Sequence, residues 1–441
     1  MRTRMNSKQF FTMQRRWPSR VAAGPFLFVS GQMGLRRRDG RPCAGYEDLE
    51  WIAPGPGSEY GWVSGMEAPM GAQALAMYSR YRTLLAREGT ELGNLLRYHV
   101  YQRDKRFFPV FDRVRRHYET APPASTAVGV GRFDPEDEAR LCIDAIAFRP
   151  AAAPAFGARA VLGGSLRHAA AAHFSHVIGA GPYLFLAGQI PVDTSQPGAP
   201  LIRGYDDIPE EGRFLRVGRS HEDARNGPIA AQTWFTYDLI RKHLEGAGSS
   251  LEQVLNLIVY LQDMRDFPTF HRVHEHFFPK EPPALTVIEV DEVGHKGTLI
   301  EIEPTAVLPG RGAKRSRLSA AGWEAPAQMS MLVEAGGLAF LSGIVGRDGA
   351  VGPQVRNVVR ELKARLALAG ADLRRVVHVT LYLDDIAALS VAAPILERAF
   401  GRHRPALTVL EVPRPAPVAR ARVQLTAIAW LGEGDPIAAS G

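Results

Sequence analysis

The stretch FLFVSGQMG at residues 26–34 is an apolar strand that runs into a small-Gly turn, and the chain repeats this pattern twice. It recurs as YLFLAGQIP at 183–191 and as LAFLSGIVG at 338–346. A further strand follows each version, as LRYHVYQRD, LNLIVYLQD and VHVTLYLDD. The spacing between these copies is much longer than that of solenoid repeats, which span about 20 to 45 residues. The sequence therefore predicts three homologous domains, with function where the copies meet.

The elements inside each copy are predicted from the periodicity of the apolar residues. The order is strand, strand, helix, strand, helix, strand, strand, and copy 2 shows both helices, at Ala231–Leu244 and Phe267–Phe278. Each copy is expected to close with a hairpin that begins Pro-Ala, at 123–148, 283–307 and 405–430. The prediction is an α+β fold in which helices cover one face of each sheet.

Composition narrows the class of protein. The chain has 441 residues, of which 46% are hydrophobic and 22% charged, as is ordinary for a soluble globular protein. No apolar run reaches the roughly 20 residues that span a bilayer, so no membrane partner is expected. Cys43 and Cys142 have no metal-ligand spacing, which predicts reduced cytosol, no disulfide framework and no metal site. We expect a cytoplasmic protein without a cofactor.

The net charge of +7 is carried mostly by arginines. They cluster at 36–38, 113–116 and 314–317, in three different parts of the chain. Nucleic-acid binding needs a continuous basic surface, which separate clusters do not predict. The expected partner is a small-molecule metabolite and not a nucleic acid.

Two linkers divide the chain. Residues 149–165 are rich in Pro, Ala and Gly, and residues 308–318 are rich in Gly and charge. The predicted domains are therefore 1–150, 165–308 and 318–433.

Copies 1 and 2 carry long polar insertions that copy 3 lacks. The insertions, at 44–69 and 203–228, both start Gly-Tyr-acid-Asp. Polar loops of this length in a compact domain are usually functional or disordered. They predict lids over sites in copies 1 and 2, and a degenerate, structural role for copy 3.

The repeated motifs resemble the Rid/YjgF family of reactive-intermediate deaminases. The matching pieces are the Ser/Ala-Gly-Gln turn, the stretch VYLQDMRDFPTFHRVHEHFF at 259–278 and the segments that begin Pro-Ala. Members of that family are homotrimers with a cleft between each pair of subunits. The resemblance implies three Rid-like (chorismate-mutase-like) α+β domains fused into an intramolecular pseudo-trimer, with sheets inside and helices outside. It also implies that the protein is a monomer.

The family's chemistry, hydrolysis of imines and enamines to a ketone and ammonia, sets an expectation for each position. A hairpin Arg grips the substrate carboxylate, a last-strand Glu positions water, and an aromatic residue, an Asn and the Ser-Gly-Gln turn complete the pocket. Here the Arg positions hold Ser125, Leu285 and Leu407. A charge-assisted contact of about 1.5–3 kcal/mol is lost, so a 2-imino acid should bind poorly. Either the substrate lacks the carboxylate or another arginine replaces it. The candidates are Arg97, Arg103, Arg213, Arg216, Arg219 and Arg225.

The remaining family positions supply the candidate site residues. The predicted catalytic residues are Glu303, Asp144 and His271. The predicted substrate-binding residues are Trp17, Ser30, Gly31, Gln32, Asp112, Ser125, Phe174, Gly188, Gln189 and Leu285. An acid on an apolar strand is costly without a partner, so Glu303 and Asp144 have a second interpretation, a cross-domain ion pair. His271 could equally be a hydrogen-bonded helix residue.

Three hypotheses for function remain open from the sequence. The first is a hydrolase or deaminase that acts on a small imine, enamine or cyclic metabolite at an inter-domain cleft. The second is a non-catalytic metabolite-binding or scaffold protein. The third is a different reaction on the same fold, as in chorismate-hydrolysing relatives. The missing arginine favours the second and third hypotheses, and the retained acids favour the first and third.

Overall fold

The computed structural model of the chain describes residues 6–49, 66–162, 173–320, 328–347 and 349–439. The predicted order of elements is found in each copy. Copy 1 contains α1 Ser7–Gln14, β1 Arg20–Ala23, β2 Phe26–Gln32, α2 Ala68–Ala86, β3 Leu95–Gln102, α3 Phe108–Tyr118, β4 Ala124–Gly129 and β5 Leu141–Phe148. Copy 2 contains β6 Ala160–Leu162, β7 Val177–Ala180, β8 Tyr183–Leu186, α4 Ser220–Gly246, β9 Val254–Leu261, α5 Phe267–Phe277, β10 Ala284–Glu289 and β11 Ile300–Val307. Copy 3 contains β12 Ser316–Leu318, β13 Leu332–Ala335, β14 Leu338–Val345, α6 Val351–Leu368, β15 Val376–Leu383, α7 Leu389–Phe400, β16 Ala406–Glu411, β17 Val423–Trp430 and β18 Ile437–Ala439.

Each copy forms one six-stranded mixed sheet with the same strand order. The orders are β18-β1-β2-β5-β3-β4, β6-β7-β8-β11-β9-β10 and β12-β13-β14-β17-β15-β16. In every sheet the last two strands are parallel and the other pairs are antiparallel. The α+β prediction is confirmed.

The predicted closing hairpins are wrong. β4 pairs only with β3, in parallel, while β5 lies on the other side of β3 and pairs with β2 as well. Parallel neighbours need a crossover connection, and α3 supplies it between β3 and β4. The two strands of the segment that begins Pro-Ala are therefore separated by β3 instead of paired with each other.

The small-Gly segment, expected as a turn, is a β-bulge inside a continuous strand in copies 1 and 3. The register of β2 against β5 shifts between Val29 and Gln32. The register of β14 against β17 shifts between Leu341 and Ile344. A bulge bends its strand and takes the extra residues out of the ladder. The Ser-Gly pair is thereby turned toward the neighbouring copy.

The three sheets share one core along the faces that their own helices do not cover. Buried aromatic side chains of all three copies meet there, among them Phe26, Tyr183, Phe185 and Phe340. Phe26 contacts Tyr183 and Phe185 at ring-centroid distances of 5.3 and 6.1 Å. Because both faces of each sheet are buried, the strands read as nearly continuous apolar runs.

The segments between and after the domains add an edge strand to each sheet. Both predicted linkers take part, since β6 pairs with β7 and β12 pairs with β13. After copy 3 the chain returns to copy 1, where β18 pairs with β1 from Arg20 to Ala22. The pairing of β18 with β1 thus joins the end of copy 3 to the sheet of copy 1.

Candidate active site between the copies

Three clefts form where the strand that begins Pro-Ala in one copy meets the small-Gly segment of another. We call them cleft 1–2, cleft 2–3 and cleft 3–1 after the copies that supply these two parts. In each cleft a backbone N–H of one copy contacts the other copy. These contacts are Gly188 N–H to Ser125 O (3.3 Å), Leu285 N–H to Ser342 Oγ (2.8 Å) and Leu407 N–H to Ser30 Oγ (2.9 Å).

The second residue of the last strand in each copy faces the glycine of the small-Gly segment. A Cβ on that glycine would lie 2.1–2.8 Å from this side chain, which would have to shift to make room for it. The facing pairs are Gly31 with Cys142 in cleft 3–1, Gly188 with Glu301 in cleft 1–2 and Gly343 with Gln424 in cleft 2–3. The three clefts thus carry a thiol, a carboxyl and an amide at one structural position.

Glu301 is the ionisable group of cleft 1–2. Its side chain lies against β4 of copy 1, and the residue is 4% exposed. Burial raises the pKa of Glu301 to about 7, against the lowering effect of the Lys105 ammonium. The backbone N–H groups of Gly294 and Ala127 donate hydrogen bonds to the carboxylate form. A carboxyl group that titrates near neutrality can both accept and return a proton.

Lys105 of copy 1 closes this side of cleft 1–2. Its Nζ donates to Ala127 O at 2.6 Å, and its backbone N–H donates to Glu292 Oε2 at 3.1 Å. Burial lowers the pKa of Lys105, and the Glu301 carboxylate opposes that shift. The cleft therefore pairs an acid of copy 2 with a base of copy 1.

The surroundings of Ser125 hold a second titrating carboxyl. Tyr78 and Tyr98 donate to Glu119, the latter at 3.2 Å, and burial raises the pKa of Glu119 to about 7. Arg115 reaches the Tyr98 hydroxyl at 3.4 Å but is held by Asp112 at 2.6 Å. Its guanidinium is thus committed within copy 1.

Glu303 and Asp144 lie in a buried polar network where the three copies meet. His99 joins them, with Nδ1 2.5 Å from Asp144 Oδ1 and Nε2 2.8 Å from Glu303 Oε2. Arg97 NH1 lies 3.1 Å from Glu303, and Thr408 of copy 3 donates to Asp144 at 2.6 Å. The network therefore connects side chains of all three copies.

The charges of this network balance one another. Burial would lower the pKa of His99, but the two carboxylates raise it to about 10. Burial would raise the pKa of Glu303, but Arg97 and His99 lower it, and the pKa of Asp144 is lowered by His99 in the same way. Both acids are held ionised, as in the cross-domain ion pair that the sequence left open.

The predicted binding residues are divided among all three clefts. Trp17, Ser30, Gly31 and Gln32 line a cavity of about 170 Å³ in cleft 3–1, together with Leu407. Leu285 lines a cavity of about 490 Å³ in cleft 2–3. In cleft 1–2, Gly188 meets Ser125 and Thr126, Gln189 pairs with Ile302, and Phe174 follows His173, which lies 3.8 Å from Glu119.

His271 and Asp112, the predicted site residues on the second helices, are not brought to Glu303 and Asp144. His271 on α5 lies beside Phe267, and its Nδ1 is 3.8 Å from Glu275. Asp112 on α3 pairs with Arg115 and Arg116. Glu303 and Asp144 have their contacts in the central network instead.

Five of the six arginines proposed to replace the missing one are engaged elsewhere. Arg97 belongs to the central network and Arg103 pairs with Asp137. In the copy 2 insertion, the pairs are Arg213 with Glu210, Arg216 with Asp206 and Arg219 with Glu222. No contact is described for Arg225 within residues 173–320.

The described parts of the two predicted lids pack against the copy to which each lid belongs. In copy 2 the insertion begins with a turn at Tyr205–Asp207 that packs on α4, and α4 itself begins at Ser220 inside the insertion. In copy 1 the turn Tyr46–Asp48 packs on α2, and residues 50–65 lie outside the described residues.

No described helix is long and apolar enough to cross a membrane. Within the described ranges, no group of three or more His, Cys, Asp or Glu could hold a metal ion.

Comparison with known proteins assigns the family. The model of the family described as Endoribonuclease L-PSP matches residues 212–308 and 321–430, in copies 2 and 3. A RutC family protein of Pyrococcus horikoshii is 35% identical over 133 residues, which are 30% of this chain and 85% of the relative. The chain belongs to the Rid/YjgF family.

Two further Rid/YjgF relatives each cover about a quarter of this chain. The 3-aminoacrylate deaminase RutC of Acinetobacter baylyi is 31% identical over 119 residues, 26% of this chain and 94% of the relative. A solved member of the YjgF/YER057c/UK114 family from Mycobacterium tuberculosis is 27% identical, covers 26% of this chain and 99% of its own, and has a TM-score of 0.25. A chorismatase structure covers 76% of this chain and 93% of its own, at 14% identity and a TM-score of 0.45.

Four residues of the contacts between copies were not predicted from the sequence. They are Glu301, Lys105, His99 and Glu119. The stretch Ile300–Val307 carries acids at 301 and 303, and both face the other copies. A strand period of two places both on one face, so it could not tell which acid lies beside the small-Gly segment.

Proposed function

We propose that this Rid/YjgF chain is a hydrolytic deaminase of a small imine or enamine, with its catalytic cleft between copies 1 and 2. The ring of three domains would act as an intramolecular pseudo-trimer, monomeric as a chain. The observation that carries the proposal is Glu301, a buried carboxyl with a pKa of about 7 that faces Gly188 across an inter-copy cleft. Glu301, and not Glu303, is therefore the candidate acid.

The proposed reaction needs one group that moves protons. Glu301 as carboxylate takes a proton from water as the water oxygen attacks the imine carbon, and it returns this proton to the imine nitrogen to give a carbinolamine. Glu301 then takes the hydroxyl proton of the carbinolamine and delivers it to the nitrogen as the C–N bond breaks. Ammonia leaves and a carbonyl remains, so one water is consumed for each C=N bond. An enamine would first be protonated at carbon to give the imine.

The other two clefts lack this group. Gln424 cannot accept or donate a proton at neutral pH, and burial raises the pKa of the Cys142 thiol well above its usual range. We therefore assign turnover to cleft 1–2 alone. The name of the Acinetobacter relative, a 3-aminoacrylate deaminase, supports an enamine as the class of substrate.

A coupled assay of ammonia and carbonyl release tests the proposal. Imines are generated in place by an amino-acid oxidase or by an amine oxidase, which gives one arm with a carboxylate and one without it. We expect turnover of the amine-derived imines, and a loss of about 100-fold or more in Glu301→Gln. Cys142→Ser, at the matching position of cleft 3–1, should keep the wild-type rate. Absence of turnover in both arms, or an unchanged rate in Glu301→Gln, would overturn the proposal.

A further inference from the structure

Cleft 1–2 contains a lysine at a position that is apolar in the other two copies. Lys105 is the first residue of the short turn that follows β3, and the same position holds Met264 in copy 2 and Ile386 in copy 3. Met264 and Ile386 are 5% and 1% exposed, so both are core residues of their copies. An amine is therefore placed beside cleft 1–2 where the other copies place hydrocarbon.

Lys105 and Glu301 flank a single residue at the outer edge of β4. The Lys105 Nζ donates to Ala127 O at 2.6 Å, and the N–H of the same Ala127 donates to the Glu301 carboxylate. β4 is an edge strand, and its alternate residues Ser125 and Gly129 contact backbone atoms of copy 2. In a strand beside a parallel neighbour, the N–H and C=O of one residue point to the same side. The amine of copy 1 and the carboxyl of copy 2 thus lie on the same side of β4, in the cleft.

Backbone groups hold these two side chains in place. Glu301 accepts from the N–H groups of Gly294 and Ala127, and Lys105 donates to the carbonyl of Ala127. Among the described residues, no direct ion pair joins Lys105 to Glu301. A small molecule between them could therefore contact both groups without breaking a salt bridge.

Ionisable groups of copy 2 act on the Lys105 amine. They are Glu301, Glu292, which accepts from the Lys105 backbone N–H, and His295. Burial lowers the pKa of Lys105, and the two carboxylates oppose that shift. Burial raises the pKa of Glu301 to about 7, so this carboxyl can exchange protons near neutral pH. A desolvated lysine is the kind of amine that forms Schiff bases with carbonyl substrates.

The amine and the acid are replaced together in the other clefts. The corresponding pairs are Met264 with Gln424 for cleft 2–3 and Ile386 with Cys142 for cleft 3–1. Two positions on different copies therefore differ in the same cleft. Covalent chemistry on an imine needs a nucleophile and a proton carrier, and cleft 1–2 has both.

We propose that Lys105 is a nucleophile of cleft 1–2 that forms a Schiff base with the reacting carbon of a small imine or carbonyl compound. For imines the inference rests on the proposed function, because it adds a covalent step to the hydrolysis assigned to this cleft. Lys105 would take the place of water in the first attack, and Glu301 would keep its role as proton carrier.

The covalent route gives the same products as direct hydrolysis. Neutral Nζ attacks the imine carbon, and its two protons pass through Glu301 to the substrate nitrogen, which leaves as ammonia. Water then attacks the Schiff-base carbon, and the two protons of water return to Nζ as the carbonyl compound leaves. This last step is reversible, so a ketone alone can form the same Schiff base without any imine.

Reductive trapping on the full chain tests the inference without turnover. The protein is incubated at about pH 8 with butanone and sodium cyanoborohydride, which reduces a Schiff base to a stable secondary amine. Peptide mass spectrometry then locates the adduct. We expect Lys105 to be modified at least tenfold faster than Lys280, which is exposed. Modification of Lys105 no faster than that of Lys280 would overturn the inference.

Two matched variants separate this inference from the proposed function. Lys105→Arg keeps the positive charge and removes the nucleophile, so it should lower turnover of the amine-derived imines at least tenfold. Lys280→Arg should keep the wild-type rate. Trapping at Lys105 without any imine turnover would support the inference and overturn the proposed function. Unchanged turnover in Lys105→Arg would overturn the inference and leave the proposed function standing.

Discussion

His99 of copy 1 lies with its Nε2 2.8 Å from Glu303 Oε2 of copy 2, and this pair joins two copies by a buried ionic contact. The same ring binds Asp144 through Nδ1. With Arg97 also on Glu303, two cations face two carboxylates, whereas any one of these charges alone would be costly to bury. The contact therefore holds two copies together, and its loss should lower the free energy of unfolding.

Replacement of Glu303 should destabilise the fold. Glu303→Gln leaves Arg97 and His99 facing a neutral side chain in a buried site, which costs about 3–5 kcal/mol of the free energy of unfolding. Denaturant unfolding measures the change. Glu245→Gln, of an exposed glutamate that pairs with Arg241 on the same helix, is the control and should cost less than about 1 kcal/mol. A Glu303→Gln protein with wild-type stability and no turnover would return the catalytic role to Glu303.

The stability of the protein should depend on pH through His99. Its folded-state pKa of about 10 lies above the usual 6.5, so its stabilising effect is complete below about pH 6.5 and is lost as the pH rises through 10. The pKa values of Asp144 and Glu303 are lowered, so their contribution is present above about pH 4.5 and is lost as the pH falls.

Melting curves from pH 4 to 10 measure this dependence. We expect the wild-type Tm to fall between pH 7 and 10 relative to that of His99→Gln, which has no imidazolium to lose. His117→Gln, at an exposed helix position, should follow the wild type. Parallel curves for the wild type and His99→Gln would contradict the ionic role of His99. If His99→Gln does not fold, that result itself supports a structural role.

A restored arginine should widen the range of substrates. Ser125→Arg places a guanidinium beside the small-Gly segment of cleft 1–2, where Glu301 stands, and should raise kcat/KM for 2-iminopropionate by about tenfold or more. Leu407→Arg makes the same change in cleft 3–1, where the facing residue is Cys142, and should have no effect on turnover. An equal gain in both variants would show that the cleft assignment is wrong.

Both thiols should be unreactive in the folded protein. Cys43 and Cys142 are buried, burial raises the pKa of Cys43 to about 12, and the pKa of Cys142 is also raised. Because the thiolate is the reactive form, we expect almost no reaction with a disulfide reagent at pH 8. Both thiols should react once the protein is unfolded in denaturant. Fast reaction of one thiol in the native protein would show that its site opens.

The sequence predicted what depends on local periodicity and missed what depends on contacts between copies. The order of elements and the α5 boundaries followed from apolar spacing, with α5 ending at Phe277, one residue before the expected end. The helix α1 was missed although Asn6 and Gln9 form a capping box that was legible in the sequence. Glu301 and Glu303 lie two residues apart on the same face of β11, and only the contacts between copies separate them into a cleft acid and a structural one.

The return of β18 to β1 has a consequence for association between chains. Residues 20–22 and 437–439 lie side by side in one sheet, so β18 covers the edge that β1 would otherwise present. An uncovered sheet edge offers unpaired backbone groups to a second chain. A chain shortened before Ile437 should therefore be more prone to associate through copy 1.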